Sequence, residues 1–136
     1  FEVSRIYPGI PEYFNGSGRG LYHYLTGAAS WYMLTVITEV FGVRGEMGDL
    51  CVEPKLLAEQ FDEKGKAELT LYFAGKHLHV VIENPQKKEA GSYRVIEAVL
   101  DGTAVEGITE GKAVVSKDTV DALRDGVLHE LSVVLD

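Results

Sequence analysis

From Glu68 onward the chain alternates. Leu69, Leu71 and Phe73 stand at every second position before Ala74-Gly75-Lys76, and Leu78, Val80 and Ile82 repeat the pattern after it, which predicts a β-hairpin. A second hairpin is predicted where the strand from Tyr93 to Leu100 turns at Asp101-Gly102 into Thr103 to Val105, and Lys112 to Val115 gives a further strand. Ser116 reads as the N-cap of a short helix through Leu123, and after Arg124-Asp125-Gly126 a last strand runs from His129 to Leu135. Short antiparallel strands at this spacing predict a mainly β fold, an antiparallel β-sandwich carrying one short helix.

The first third of the chain follows another pattern. Trp31 leads into the apolar stretch Tyr32 to Phe41, in which only Thr35, Thr38 and Glu39 are polar, all three on one narrow stripe at helical spacing. A helix of this kind must pack around nearly its whole circumference, so Trp31 reads as a core residue, and the β-rich remainder does not supply the packing. Residues 1 to 22 hold Pro8, Pro11, Gly9, Gly16, Gly18 and Gly20, a density that argues against a regular element. Interleaved rings at Phe1, Tyr7, Tyr13, Phe14, Tyr22 and Tyr24 place this loop against a core or along a cleft. Gly42 is expected to end the helix, and Gly42 to Asp49 reads as a glycine-punctuated turn region before a short strand from Leu50 to Glu53. The boundary therefore falls after residue 42: residues 1–42 form a loop and buried helix, residues 43–136 the sandwich.

Composition narrows the partners. With 136 residues, 13 basic against 21 acidic side chains and a net charge of −8, the chain has no basic stripe, so nucleic acid and anionic membrane surfaces are not expected to bind it. The apolar run is shorter than the roughly 20 residues a membrane helix needs and is broken by polar positions. A single cysteine, Cys51, rules out an internal disulfide and a Cys/His metal cluster, is read as a buried strand residue, and favours a reducing cytoplasm. No targeting peptide is visible at Phe1.

Chemistry has few places to sit. Thr26-Gly27 precedes the apolar helix, where free backbone N–H groups and the positive end of the helix dipole suit an anion; the plain alternative is a threonine cap and a glycine for close packing. Arg19, between Gly18 and Gly20, reads as a contact to phosphate or sugar, or as an arginine pinning its loop to a carboxylate. His23 is a candidate ligand or acid–base group, or a packed loop residue between two tyrosines. His77 and His79 share one strand face without a third metal ligand nearby, and His129 reads as a surface residue. Glu12, Asp49 and Glu53 read as loop anchors, with a glycosidase-like carboxylate pair as the alternative.

Three stretches carry a resemblance. Residues Tyr7 to Asn15, the run Gly18-Arg19-Gly20-Leu21-Tyr22-His23-Tyr24-Leu25-Thr26-Gly27-Ala28-Ala29-Ser30-Trp31, and Gly42 to Leu50 with Glu53-Pro54-Lys55-Leu56 are similar to the C-terminal part of glycoside hydrolase family 94. That family includes the cellobiose, cellodextrin and chitobiose phosphorylases and the phosphorylase-like region of cyclic β-1,2-glucan synthases. The similarity is specific through about residue 62, and beyond it the β pattern agrees more than the residues do.

The resemblance implies that the helix after Thr26 is the last of an (α/α)6 barrel otherwise missing here, and that residues 43–136 are the C-terminal β-sandwich. It implies a hexosyltransferase that cleaves a β-linked disaccharide or oligosaccharide with inorganic phosphate, giving a sugar α-1-phosphate with inversion and needing no cofactor and no metal. Thr26 and Gly27 match the family's phosphate-contacting Thr-Gly pair. The acid aspartate would lie upstream of Phe1, so this chain contributes no catalytic residue and is expected to be inactive alone. A homodimeric parent is implied, and the isolated chain is expected to self-associate through the Trp31 to Phe41 helix. The alternative is a noncatalytic carbohydrate-binding or structural β-sandwich module.

Overall fold

The computed structural model describes Pro11, residues 13–21 and residues 26–136. They belong to two compact units, Phe1–Val36 and Ile37–Asp136.

In the first unit β1 (Tyr13–Phe14) pairs antiparallel with β2 (Gly20–Leu21), Tyr13 opposite Leu21. Asn15 shapes the turn between them. Its Oδ1 accepts from the backbone N–H groups of Ser17 and Arg19 and from the Ser17 hydroxyl, the local bonding by which asparagine favours turns. Helix α1 (Thr26–Thr35) follows and passes into one π turn, Val36–Val40. The helix was expected to be buried, yet Trp31, Tyr32, Met33 and Leu34 are exposed, Trp31 by 70 %. Successive helical positions are about 100° apart, so four consecutive open side chains leave apolar surface around most of the axis.

The second unit is a sandwich of two sheets. Gly42 opens it at φ +69, and β3 (Val43–Glu46) forms a hairpin with β4 (Asp49–Val52) around Met47 and Gly48. The turn region expected over residues 42–49 thus contains a strand. With four residues, one of them Gly45 beside the Phe73 ring, β3 is too short to display a period. A 3-10 turn, Ala58–Gln60, leads to the hairpin of β5 (Lys66–Phe73) and β6 (Lys76–Glu83). Strand β7 (Val95–Leu100) pairs with β8 (Thr103–Ala104), and β9 (Ile108–Thr109) pairs with β10 (Lys112–Val115). Helix α2 (Lys117–Ala122), capped by the Ser116 hydroxyl accepting from Thr119 N–H, precedes β11 (Leu128–Leu135).

One sheet has the order β3-β4-β10-β9 and the other β5-β6-β11-β7-β8. The second is mixed: β11 inserts between β6 and β7, antiparallel to β7 but parallel to β6, with Leu131 opposite Val80. This departs from the wholly antiparallel expectation, because alternation reports which face of a strand is buried and carries no information about its neighbour. Parallel pairing requires a long crossover, which residues 84–127 supply.

A single core joins the sheets. Val43, Leu50, Val52, Ala113 and Val115 from one face Leu78, Val80, Ile82, Val95, Ala98, Leu100, Leu131, Val133 and Leu135 from the other. Each fully buried valine or leucine contributes about 1.5–3 kcal/mol of transfer free energy, so this interdigitated layer carries most of the unit's stability. Val120 buries α2 onto the same core, and Ile37, Val40 and Phe41 pack at its margin.

Candidate functional site

The sequence candidates are dispersed. Thr26 is the first residue of α1 and Gly27 the second, in the turn whose N–H groups have no intrahelical acceptor and whose dipole favours negative charge. Arg19 lies in the β1–β2 turn, where its backbone N–H is held by Asn15. His23 and Glu12 lie outside the described residues. Asp49 Oδ1 accepts from Lys117 N–H at 2.7 Å, and Glu53 binds Arg44, so both carboxylates anchor local structure. His77 and His79 share the outer face of their sheet as expected. The His77 ring stacks on Tyr72 at 4.6 Å between centroids, while His79 lies 3.3 Å from Glu68 and 3.9 Å from Glu130. Among the described residues no group of three or more His, Cys, Asp or Glu is arranged to hold a metal.

A different cluster is the most chemically organised part of the molecule. The inward row of β6 runs Ile82, Val80, Leu78 and ends at Lys76; that of β11 runs Leu135, Val133, Leu131 and ends at His129. Two basic side chains therefore occupy the last core positions at one end of the sandwich, 8 % and 5 % exposed. The expectation that His129 is a surface residue is overturned, since it keeps phase with the apolar positions of its strand. Burying such groups is costly unless each polar atom finds a partner, and here each does. Lys76 Nζ donates to the Leu123 carbonyl (2.6 Å) and to Asp125 Oδ1 (2.7 Å). His129 Nδ1 pairs with Asp101 Oδ2, and Nε2 lies 2.8 Å from the Arg124 carbonyl.

The electrostatics follow from those partners. The Arg124 carbonyl, then the Asp101 carboxylate, raise the pKa of His129 above that of an ordinary imidazole, burial opposing them. Burial pushes the Asp101 carboxyl up, and the bonds from His129 and from Glu130 N–H together more than offset it, leaving it below the usual range. Both ring nitrogens face acceptor oxygens, so only the imidazolium satisfies both hydrogen bonds at once, and it has no free position for acid–base work. Beside the cluster lies a groove of about 850 Å³ between α2 and the β7–β8 turn, with Val105, Val115 and Leu123 as apolar lining and Asp101 and Thr119 among its polar groups.

A second ionic network crosses the four-stranded sheet. Arg44, opposite Cys51 in the β3–β4 register, binds Glu53 and Glu46, and Lys112 Nζ donates to Glu46 at 2.8 Å. The Lys112 and Arg44 hydrogen bonds hold the Glu46 carboxyl below its usual range, and the Glu53 hydrogen bond leads in raising Arg44. Burial pushes the Cys51 thiol up.

No protein-family model and no curated protein matches this chain. The period-two phase of Lys76 and His129 was the signal for their burial. Asp101, by contrast, is marked in the sequence only as half of an Asp-Gly turn, and nothing local announces that it meets His129.

Proposed function

We propose that this chain acts as the C-terminal part of an inverting glycoside phosphorylase of glycoside hydrolase family 94, in which Thr26 and Gly27 help to hold the phosphate. The observation that carries this reading is the start of α1 at Thr26: the Thr-Gly pair of the Leu25-Thr26-Gly27-Ala28-Ala29-Ser30-Trp31 motif occupies a helical first turn, where backbone N–H groups suit an anion. The exposed, nearly all-round apolar surface of α1 supports it as well, since a barrel helix has neighbours on several sides.

In this scheme phosphate attacks the anomeric carbon from the face opposite the leaving group. The bond to the leaving oxygen breaks as an aspartic acid from the preceding barrel protonates it, and the products are a sugar α-1-phosphate and the shortened acceptor. This chain's share is to orient and stabilise the phosphate. The β-sandwich closes the end of the barrel, the parent is a cytoplasmic homodimer, and the chain alone is inactive.

The test is phosphate release from α-glucose 1-phosphate by the full-length protein, offered glucose, cellobiose or N-acetylglucosamine as acceptor. Release with one acceptor is the expected result, as is a raised KM for phosphate in Thr26→Ala when the reaction is run in the direction of phosphorolysis. An unchanged phosphate KM and kcat in that variant would remove Thr26 from the site.

A second reading is favoured by Tyr72, which is 72 % exposed on the open sheet face with its ring stacked on His77. Such a ring can stack on a sugar, making the sandwich a carbohydrate-binding module. Calorimetric titration with soluble oligosaccharides, with Tyr72→Ala as control, separates this reading from a purely structural sandwich.

A further inference from the structure

Three elements meet at His129: the β7–β8 turn through Asp101, 28 residues earlier, the loop between α2 and β11 through Arg124, five residues earlier, and β11 itself. The ring is nearly inaccessible, and each of its nitrogens faces an oxygen that can only accept, so the arrangement is satisfied only when both nitrogens carry protons. We propose that Asp101, His129 and the Arg124 carbonyl form a proton-controlled latch at one end of the groove, closed while His129 is an imidazolium and released on the loop side when it loses a proton.

The side that opens is set by the relative strength of the two acceptors. A neutral imidazole has one N–H, and the Asp101 carboxylate is the stronger acceptor, so the remaining proton stays on Nδ1. Nε2 then turns a lone pair toward the Arg124 carbonyl, and attraction becomes repulsion. The other charged groups around the ring fix how far the release travels. From β6 the Lys76 ammonium lies near enough for its charge to oppose that of His129, but it also grips the Leu123 carbonyl and Asp125. Leu123 stays tethered, and the change is confined to the loop beyond it, residues 124–127. Asp101 and Leu123, which both line the groove, stay held in either state, so the change falls beside the groove and not in its lining.

The sign is that of a group with a raised folded pKa: the latch is fully formed below the unfolded value of about 6.5 and is lost as pH rises through the higher folded value. The experiment uses the intact chain. Histidine ring signals are followed by NMR from pH 5 to 9, assigned with His129→Gln, and amide exchange is measured over residues 124–128 with the intrinsic pH dependence divided out. The expected result is a His129 titration above the ordinary range and a rise in loop exchange of about tenfold for each unit by which closure raises that pKa, with β6 and β7 amides unchanged. Asp101→Asn should bring the titration down toward the ordinary value. If His129→Gln does not fold, the wild-type titration and exchange decide alone. A His129 titration at or below about 6.5, or loop exchange that does not change with pH, would overturn the latch.

Discussion

Gly42 sits so close to Glu53 that a Cβ built on it would meet the Glu53 carbonyl oxygen at 1.8 Å. The same contact brings the Glu53 N–H onto the Gly42 carbonyl at 3.0 Å, tying the start of the sandwich to the end of β4. The obstructing atoms, the Glu53 carbonyl group and the Pro54 nitrogen, are all backbone, so no side chain can move aside, and φ of +69 adds its own cost for any L residue.

Gly42→Ala is therefore expected to destabilise the second unit by about 2–4 kcal/mol, at the upper end of single-residue effects. A urea titration followed by far-UV circular dichroism measures it. A control is Gly75→Ala, where a Cβ meets nothing within 4 Å and only the strain of φ +79 remains, so its loss should be clearly smaller. Equal losses at the two positions would mean that the clash is relieved by backbone movement.

Lys76 and Asp125 form an unequal pair. The lysine is 8 % exposed, whereas the Asp125 side chain is 87 % exposed and can exchange its partner for water. Lys76→Met keeps the stem and removes the charge, leaving the Leu123 carbonyl without its donor, and should cost about 1–3 kcal/mol. Asp125→Ala should change stability little, because an exposed ion pair is screened by solvent. Midpoints of urea unfolding for the two variants check the asymmetry. A larger loss for Asp125→Ala would mean that the ion pair, and not the carbonyl, is what Lys76 secures.

How far these relationships were readable depends on their range. The β5–β6 hairpin, the β7–β8 hairpin and the Ser116 cap follow from residues within one element, and period and turn chemistry disclose them. The parallel β6–β11 pairing, β3, and the meeting of His129 with Asp101 depend on what the chain brings alongside, which local pattern does not encode. His129 shows the two parts separately: its phase with Leu131 already pointed it inward, but its partner 28 residues earlier was invisible. For the candidate phosphate site, the sequence placed Thr26-Gly27 just before the helix, whereas α1 takes both in as its first two residues.

Stability should fall on both sides of a plateau in pH. Glu46, held down first by the Lys112 and Arg44 hydrogen bonds, Asp125, held down by Lys76, and Asp101 all have lowered carboxyl pKa values. Their contribution is present above the unfolded values of about 4 and is lost as pH falls through the folded ones. His129 is raised, so its contribution is present below about 6.5 and disappears as pH climbs through its folded value. Urea midpoints should thus be highest from about pH 4.5 to 6.5. Glu46→Gln should flatten the acid limb, and His129→Gln the alkaline one. An alkaline limb that persists in His129→Gln would assign it to another group.

Trp31 offers a direct view of α1 because it is the only tryptophan in the chain. At 70 % exposure its emission should be red-shifted at low protein concentration. Tyr32, Met33 and Leu34 beside it leave enough apolar surface that a second copy is expected to cover part of it as concentration rises, excluding water and shifting the emission to the blue. Light scattering on the same samples should show the mass rising over the same range. Met33→Glu places a charge within that surface and should hold both the mass and the emission at their dilute values. Because one flat contact covers only part of a helix's circumference, the blue shift should stop short of that of a fully buried indole. A complete shift would mean that α1 is enclosed on all sides in the assembly, as in a bundle.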